Sequence, residues 1–135
     1  MGIDSNKSLG SSYEEDFARI LFENGFWVHL LRQTEAGQPA DLIACRNGRT
    51  FLIDCKVCSN GNFPISRMEE NQKLAMQAFM DAGNSEPWFA LEVNGQTYMI
   101  PFHFMLRHPT PTLSRTQIMR YGEAIEEWLG EWFTK

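Results

Sequence analysis

The sequence predicts an α/β domain: a mixed central sheet flanked by helices. Three observations predict it. Apolar spacing switches between helical and strand periods in the order α-β-β-β-α-β-β-α. Two Asn-Gly pairs, Asn47-Gly48 and Asn94-Gly95, each separate two strand-like runs and mark tight hairpins. The 135 residues, 43% apolar and 13% aromatic, amount to one domain that buries about two thirds of its unfolded surface.

Residues 1–10 are rich in Gly, Ser and Asn and are expected to be loosely ordered, leaving 11–135 as the domain proper. A first helix is expected from Ser11 or Ser12, because Glu14 and Glu15 complete a capping box with either serine. Tyr13, Phe17, Ile20 and Leu21 give it an apolar stripe, and Asn24-Gly25 ends it. Strands follow at 26–31, 41–45 and 50–57, with a polar loop over 33–39. Ser59-Asn60-Gly61-Asn62 breaks the sheet, and 67–82 reads as a helix with Gly83 at its C-terminal end. Strands at 88–93 and 96–100 form the second hairpin. After a short segment at 102–106 and a proline-broken loop, one last helix opens at Ser114, with Gln117 completing its capping box. Its apolar face is Ile118, Tyr121, Ile125, Trp128, Leu129 and Trp132, which suits a core helix or a dimer contact.

Composition narrows the function classes. There is no apolar run of the ~20 residues that a membrane span needs, and no secretory leader pattern, so a cytoplasmic protein is expected. Cys45, Cys55 and Cys58 fit a reducing compartment. Cys55 and Cys58 form a C-x-x-C, but Cys55 lies inside a strand-like run and no second ligand pair exists, so two small apolar side chains are expected. The formal charge of −5 argues against binding nucleic acid by bulk charge. By segment, 1–60 holds 6 basic and 8 acidic residues, 61–105 holds 2 and 5, and 106–135 holds 4 and 4, with no strongly basic block.

The segment Thr50-Phe51-Leu52-Ile53-Asp54-Cys55-Lys56-Val57 carries the most chemical information. Strand alternation puts Phe51, Ile53, Cys55 and Val57 on one face, with Leu52, Asp54 and Lys56 on the other. An acid and a lysine thus project together from an otherwise apolar strand, where burial costs several kcal/mol unless they pair or bind something. The plain alternative is an ion pair at a solvated sheet edge. Asp41 opens the strand expected to pair with this one, and Glu14 lies at the rim of the first helix's apolar stripe. Three carboxylates and a lysine supply oxygen donors of the kind Mg²⁺ or Mn²⁺ takes, not zinc.

These residues resemble a known family. Asp41, twelve intervening residues, then Asp54-Cys55-Lys56 is similar to the PD-(D/E)xK nuclease motif. With Glu14 upstream on a helix and Gly25-Phe26 entering a strand, the pattern resembles the archaeal Holliday-junction resolvases and their phage and bacterial relatives. The stretch through Phe63-Pro64-Ile65, Gln72 and Gly83 to the second hairpin is similar to the RecU branch. Two departures stand out: Ala40 separates Pro39 from Asp41, and the triplet begins with Asp rather than Glu. There is also no room between Asp41 and Asp54 for the stalk that RecU proteins carry.

The resemblance implies a restriction-endonuclease-like α/β fold and metal-dependent hydrolysis of DNA phosphodiester bonds, with branched DNA as partner. Asp41, Asp54 and the Cys55 backbone carbonyl would hold Mg²⁺, with Mn²⁺ as a substitute, and Glu14 would complete the site directly or through water. Lys56 would orient the attacking water and stabilise charge, and Gln72 would bond near Lys56 or the scissile phosphate, unless it is simply a half-buried helix residue. Arg32, Thr34, Gln38, Arg67 and Lys73 are the candidate DNA contacts. A homodimer is implied, because resolvases of this type act in symmetric pairs, and the compactness suits a phage or bacterial protein. The alternatives are a VRR-NUC or restriction-like nuclease of the same fold and a non-catalytic DNA-binding module. His29, His103 and His108 have no metal spacing and are expected to be structural or surface residues.

Overall fold

The computed structural model of the protein describes residues 5–31 and 38–133. Helix α1 (Ser5–Glu23) leads into β1 (Trp27–Leu30), then β2 (Leu42–Arg46) and β3 (Arg49–Val57). A two-residue strand β4 (Phe63–Pro64) and a 3-10 turn (Ile65–Arg67) precede α2 (Glu70–Asp81) and the hairpin β5 (Trp88–Val93) and β6 (Gln96–Pro101). The chain ends with α3 (Phe102–Arg107), β7 (Thr112–Leu113), α4 (Arg115–Tyr121), β8 (Glu123–Ala124) and α5 (Ile125–Phe133).

The main sheet has the strand order β1-β2-β3-β5-β6-β8. Both Asn-Gly pairs turn hairpins, with Asn47, Gly48, Asn94 and Gly95 all at positive φ, the twist that a two-residue hairpin loop requires. Among the described residues β3 and β5 are the one parallel pair, and α2 is in the connection that parallel strands need. Two cores result. One face of the sheet packs Phe51, Ile53 and Cys55 against Phe17 and Leu21 of α1 and Trp128 of α5. The other packs Leu52, Phe89 and Leu91 against Met76 of α2, Phe102 of α3 and Ile118 of α4.

Two expectations need correction. Helix α1 begins at Ser5 and takes in residues 5–10, so Ser11 and Ser12 lie inside it and are not its caps. No proline or β-branched residue interrupts 5–12, and extending a helix already held by packed turns costs little.

The single last helix is two helices joined by β8, and its six-residue face does not exist. Ile118 packs in one core, whereas Ile125, Trp128 and Leu129 pack in the other, and Tyr121 is exposed. The break falls at Gly122, where an added Cβ would stand 2.6 Å from the Ile118 carbonyl oxygen and 2.9 Å from Tyr98 Cβ. Trp128 is fully buried against Phe26, Phe51 and Trp88, so this tryptophan is core and cannot form a dimer contact.

The C-x-x-C is as expected, two small side chains within the packing. Cys55 and Cys58 are both buried free thiols, and they belong to different cores, so they do not form a pair. No helix among the described residues is long and apolar enough to cross a membrane.

Candidate active site

The site forms where β2 and β3 part company. The ladder runs Leu42↔Ile53, and the Asp41 N–H still reaches the Ile53 carbonyl at 3.1 Å. Asp41 itself lies one residue before β2, outside the paired register. The Cys55 N–H, which a continued β2 would have taken, donates instead to Asp41 Oδ2 at 2.7 Å. A strand residue's N–H and C=O leave by the same edge, so the Cys55 carbonyl faces this gap as well.

Asp41 and Asp54 are both buried. Burial first, and then the neighbouring negative charges, push Asp41 up to about 6 and Asp54 up to about 7. The two carboxyls are close enough to affect one another's protonation, and the Asp41 charge adds to the burial that keeps Asp54 protonated. Glu14, half-buried on α1, has its carboxyl raised above the ordinary range, first by burial and then by the charge of Asp54. Lys56 Nζ stands 3.2 Å from Asp54 Oδ2 as an ion pair, yet the alignment is not that of a hydrogen bond, and this buried oxygen has no hydrogen-bond partner.

An open cleft of about 610 Å³ gives access to this gap, lined by Glu14, Asp41, Cys55, Lys56, Asn60 and Arg67 among others. Asp54 lies just behind the lining, its side chain 4% exposed. The donor set fits a hard divalent cation: carboxylate oxygens, the Cys55 strand carbonyl and a buried Asp54 oxygen without a hydrogen-bond partner. The fit is not a closed cage, since among the described residues no three His, Cys, Asp or Glu side chains stand close enough to grip an ion together. Asp41 and Asp54 would be the principal side-chain ligands, with room for water or a phosphate oxygen in the cleft.

The other expected residues separate. Gln38 donates from Nε2 to Asp41 Oδ1 at 3.0 Å, so it holds a carboxylate and does not reach outward. Arg67 does line the cleft, its guanidinium over the Phe63 ring and donating to the Val57 carbonyl at 3.2 Å. Lys73 is off the cleft, 3.5 Å from Glu70 one turn before it on α2. Gln72 is buried on α2, does not line the cleft, and no hydrogen bond joins it to Lys56; its Oε1 has no hydrogen-bond partner. Arg32 and Thr34 lie outside the described residues.

Sequence reasoning missed the loop after β3. Ser59, Asn60, Asn62 and Pro64 line the cleft, and the Asn-Gly-Asn run that seemed only to break the sheet also supplies amides at its mouth. The signal was available, since such a loop directly follows the chemistry-bearing strand. Among the histidines, His103 pairs with Glu86 at 2.5 Å, His29 stacks on Trp27 and His108 contacts Thr110, none of them in the cleft.

The sequence profile of the family described as archaeal Holliday junction resolvase (Hjc) matches residues 5–129. The crossover junction endodeoxyribonuclease Hjc of Methanocaldococcus jannaschii is 33% identical over 94 residues, which is 69% of this chain and 66% of that protein's length. The structure of Archaeoglobus fulgidus Hjc, a Holliday junction resolvase from an archaeal hyperthermophile, matches with a TM-score of 0.72 over 90% of this chain and all of that one. At 17% identity that likeness is one of fold, and the fold is the restriction-endonuclease-like sheet flanked by helices.

Proposed function

Because the chain belongs to the archaeal Holliday junction resolvase (Hjc) family, we propose that it is a metal-dependent endonuclease that cuts branched DNA. The observation that carries this reading is the Asp41–Asp54 pair, two neighbouring buried carboxyls beside Lys56 at an open cleft. Buried acids at a sheet gap are costly, and nothing in the packing requires them. A cation binding there would remove the cost.

Asp41, Asp54 and the Cys55 carbonyl would hold the cation, with Glu14 joining through water. Mg²⁺ is the ion proposed, and Mn²⁺ has the same taste for oxygen donors. Such an ion polarises a phosphoryl oxygen and makes water acidic enough to serve as hydroxide near neutral pH. The chain's own contribution is placement. The Cys55 N–H fixes Asp41 from one side and Gln38 fixes it from the other. Lys56, with its side chain 22% exposed, reaches from the same strand face as Asp54 into the cleft, where its ammonium can orient the attacking water and meet charge developing on the phosphate. Arg67, over the Phe63 ring, offers a cation to a neighbouring phosphate. A homodimer belongs to the same reading, since resolving a junction needs two nicks placed symmetrically.

The test is to offer four-way junctions, flaps and linear duplex side by side with Mg²⁺. Paired symmetric nicks in the junction are expected, and their loss in Asp54→Ala and Lys56→Ala with the fold retained. Full activity in both variants would sink the proposed site. Binding without cutting on any substrate would favour a non-catalytic module.

A further inference from the structure

The chain is acidic, but its charge is sorted in space. Residues 93–122 contain no Asp or Glu and hold Arg107, Arg115 and Arg120 together with His103 and His108. The equal count of acids and bases over 106–135 hid this, because the acids Glu123, Glu126, Glu127 and Glu131 all follow Gly122. The chain crosses the edge of the sheet there, so α3 and α4 pack on one face and α5 on the other. Among the described residues none of Arg107, Arg115 and Arg120 has an ion pair. The nearby carboxylate of Glu86 is already engaged, accepting from both the His103 backbone N–H and its ring.

Between α3 and α4 lies a second hollow of about 400 Å³, lined by His103, Phe104, Arg107, His108, Gln117 and Tyr121. Its floor is aromatic: Phe104 packs on Tyr121 at 5.3 Å and on His108 at 5.6 Å, and Arg120 lies over the Tyr121 ring at 5.6 Å. Cationic edges around flat rings match the phosphates and sugar faces of a nucleic-acid strand. Two contacts tie these elements to the cleft. β7 pairs with β4, whose Pro64 lines the cleft, and the Arg115 N–H at the start of α4 donates to Asn62 Oδ1, another lining residue. From Arg115 to Tyr121, α4 rises about 9 Å, which duplex DNA covers in about three base pairs at ~3.4 Å each.

We propose that the α3–α4 face, with Arg107, Arg115, Arg120 and Tyr121, is a second DNA-contact surface that grips the backbone of an arm leaving the cleft. The inference rests on the DNA substrate proposed above. It explains how an acidic protein holds a polyanion: the net charge is negative, but the face beside the cleft is not.

The experiment compares the full chain with an Arg107→Ala/Arg120→Ala variant and with its charge-keeping counterpart, Arg107→Lys/Arg120→Lys. Binding to a fluorescent four-way junction is titrated in EDTA across a salt series. The alanine variant should bind about three- to tenfold more weakly and show a salt slope smaller by about two, with lysine restoring most of both. Unchanged affinity and slope in the alanine variant would overturn the surface, as would no binding by the unmodified chain. Sedimentation of Tyr121→Ala supplies a separate check, because loss of a dimer would make this face a contact between copies and overturn the assignment. Nicking by the unmodified chain is scored in parallel. Junctions that are bound through this face but never cut would sink the nuclease reading and leave the surface standing.

Discussion

Gln38 donates a hydrogen bond from Nε2 to Oδ1 of Asp41 at 3.0 Å, while the other oxygen of that carboxylate takes the Cys55 N–H at 2.7 Å. Both oxygens of Asp41 are therefore held in place from inside the protein. This fixes its orientation before any cation or DNA arrives.

Removing that support should weaken the site without unfolding the protein. Gln38→Ala is expected to lower Mn²⁺ affinity and junction nicking about 10- to 100-fold, the usual loss when a group that orients a metal ligand is removed. Calorimetric titration with Mn²⁺ checks the first and a nicking assay the second. An unchanged Mn²⁺ affinity would mean that Cys55 alone suffices.

The two raised carboxyls set the sign of a pH dependence. With folded values of about 6 for Asp41 and about 7 for Asp54, against an ordinary 3.8, the native state holds more protons than the unfolded chain in between. The contribution of these groups to stability is full below about pH 4, falls as pH rises toward 7, and is flat above that. Urea melts of metal-free protein at pH 5 and pH 8 should show this loss, and Mg²⁺ should restore more stability at pH 8, because ligand carboxylates must be ionised to bind.

Replacing Asp54 separates binding from stability. Asp54→Asn removes a buried charge that repels Asp41, so metal-free protein at pH 8 should melt a few degrees higher than the parent. At pH 5, where the parent's Asp54 is already protonated, the gain should largely vanish. Nicking should be lost at both pH values.

Gly122 is a packing test of the crossing between the two helices. Its φ of −80° suits any residue, so the cost of Gly122→Ala is purely one of space. A Cβ would stand 2.6 Å from the Ile118 carbonyl oxygen of its own helix and 2.9 Å from Tyr98 Cβ on β6. The end of α4 must therefore open and move off the strand, costing about 1–3 kcal/mol. Denaturant melts measure this, and a neutral effect would mean that α4 shifts freely.

Much of this was legible in the residues alone. The hairpins at 47–48 and 94–95 were, because Asn-Gly tolerates the positive φ that the turn demands and few other pairs do. The two faces of β3 were also legible, because strand alternation is local: Cys55 goes to one core while Asp54 and Lys56 turn the other way. The ends of α1 and the split of the last helix were not. Helical spacing from Ile118 to Leu129 looks continuous, since periodicity counts residues and cannot register that Gly122 sits against Tyr98. Gln38 illustrates the same limit, as a loop amide among polar residues looks solvated until the fold sets Asp41 beside it.

The sequence by itself determined the α/β plan, the strand that carries Asp54 and Lys56, and the set of acids from which a site is built. These follow from backbone periodicity and turn chemistry, which act over a few residues. The tertiary structure decided how those acids meet. β2 starts at Leu42 while β3 continues to Val57, so Asp41 inherits the Cys55 N–H and stands against Asp54 in a gap where burial raises both. It also sorted the charge, sending the acids of α5 to one face and leaving the arginines of α3 and α4 beside the cleft. A net charge is a sum over the chain, whereas a DNA strand meets the field of one face, and only packing determines which residues make up that face.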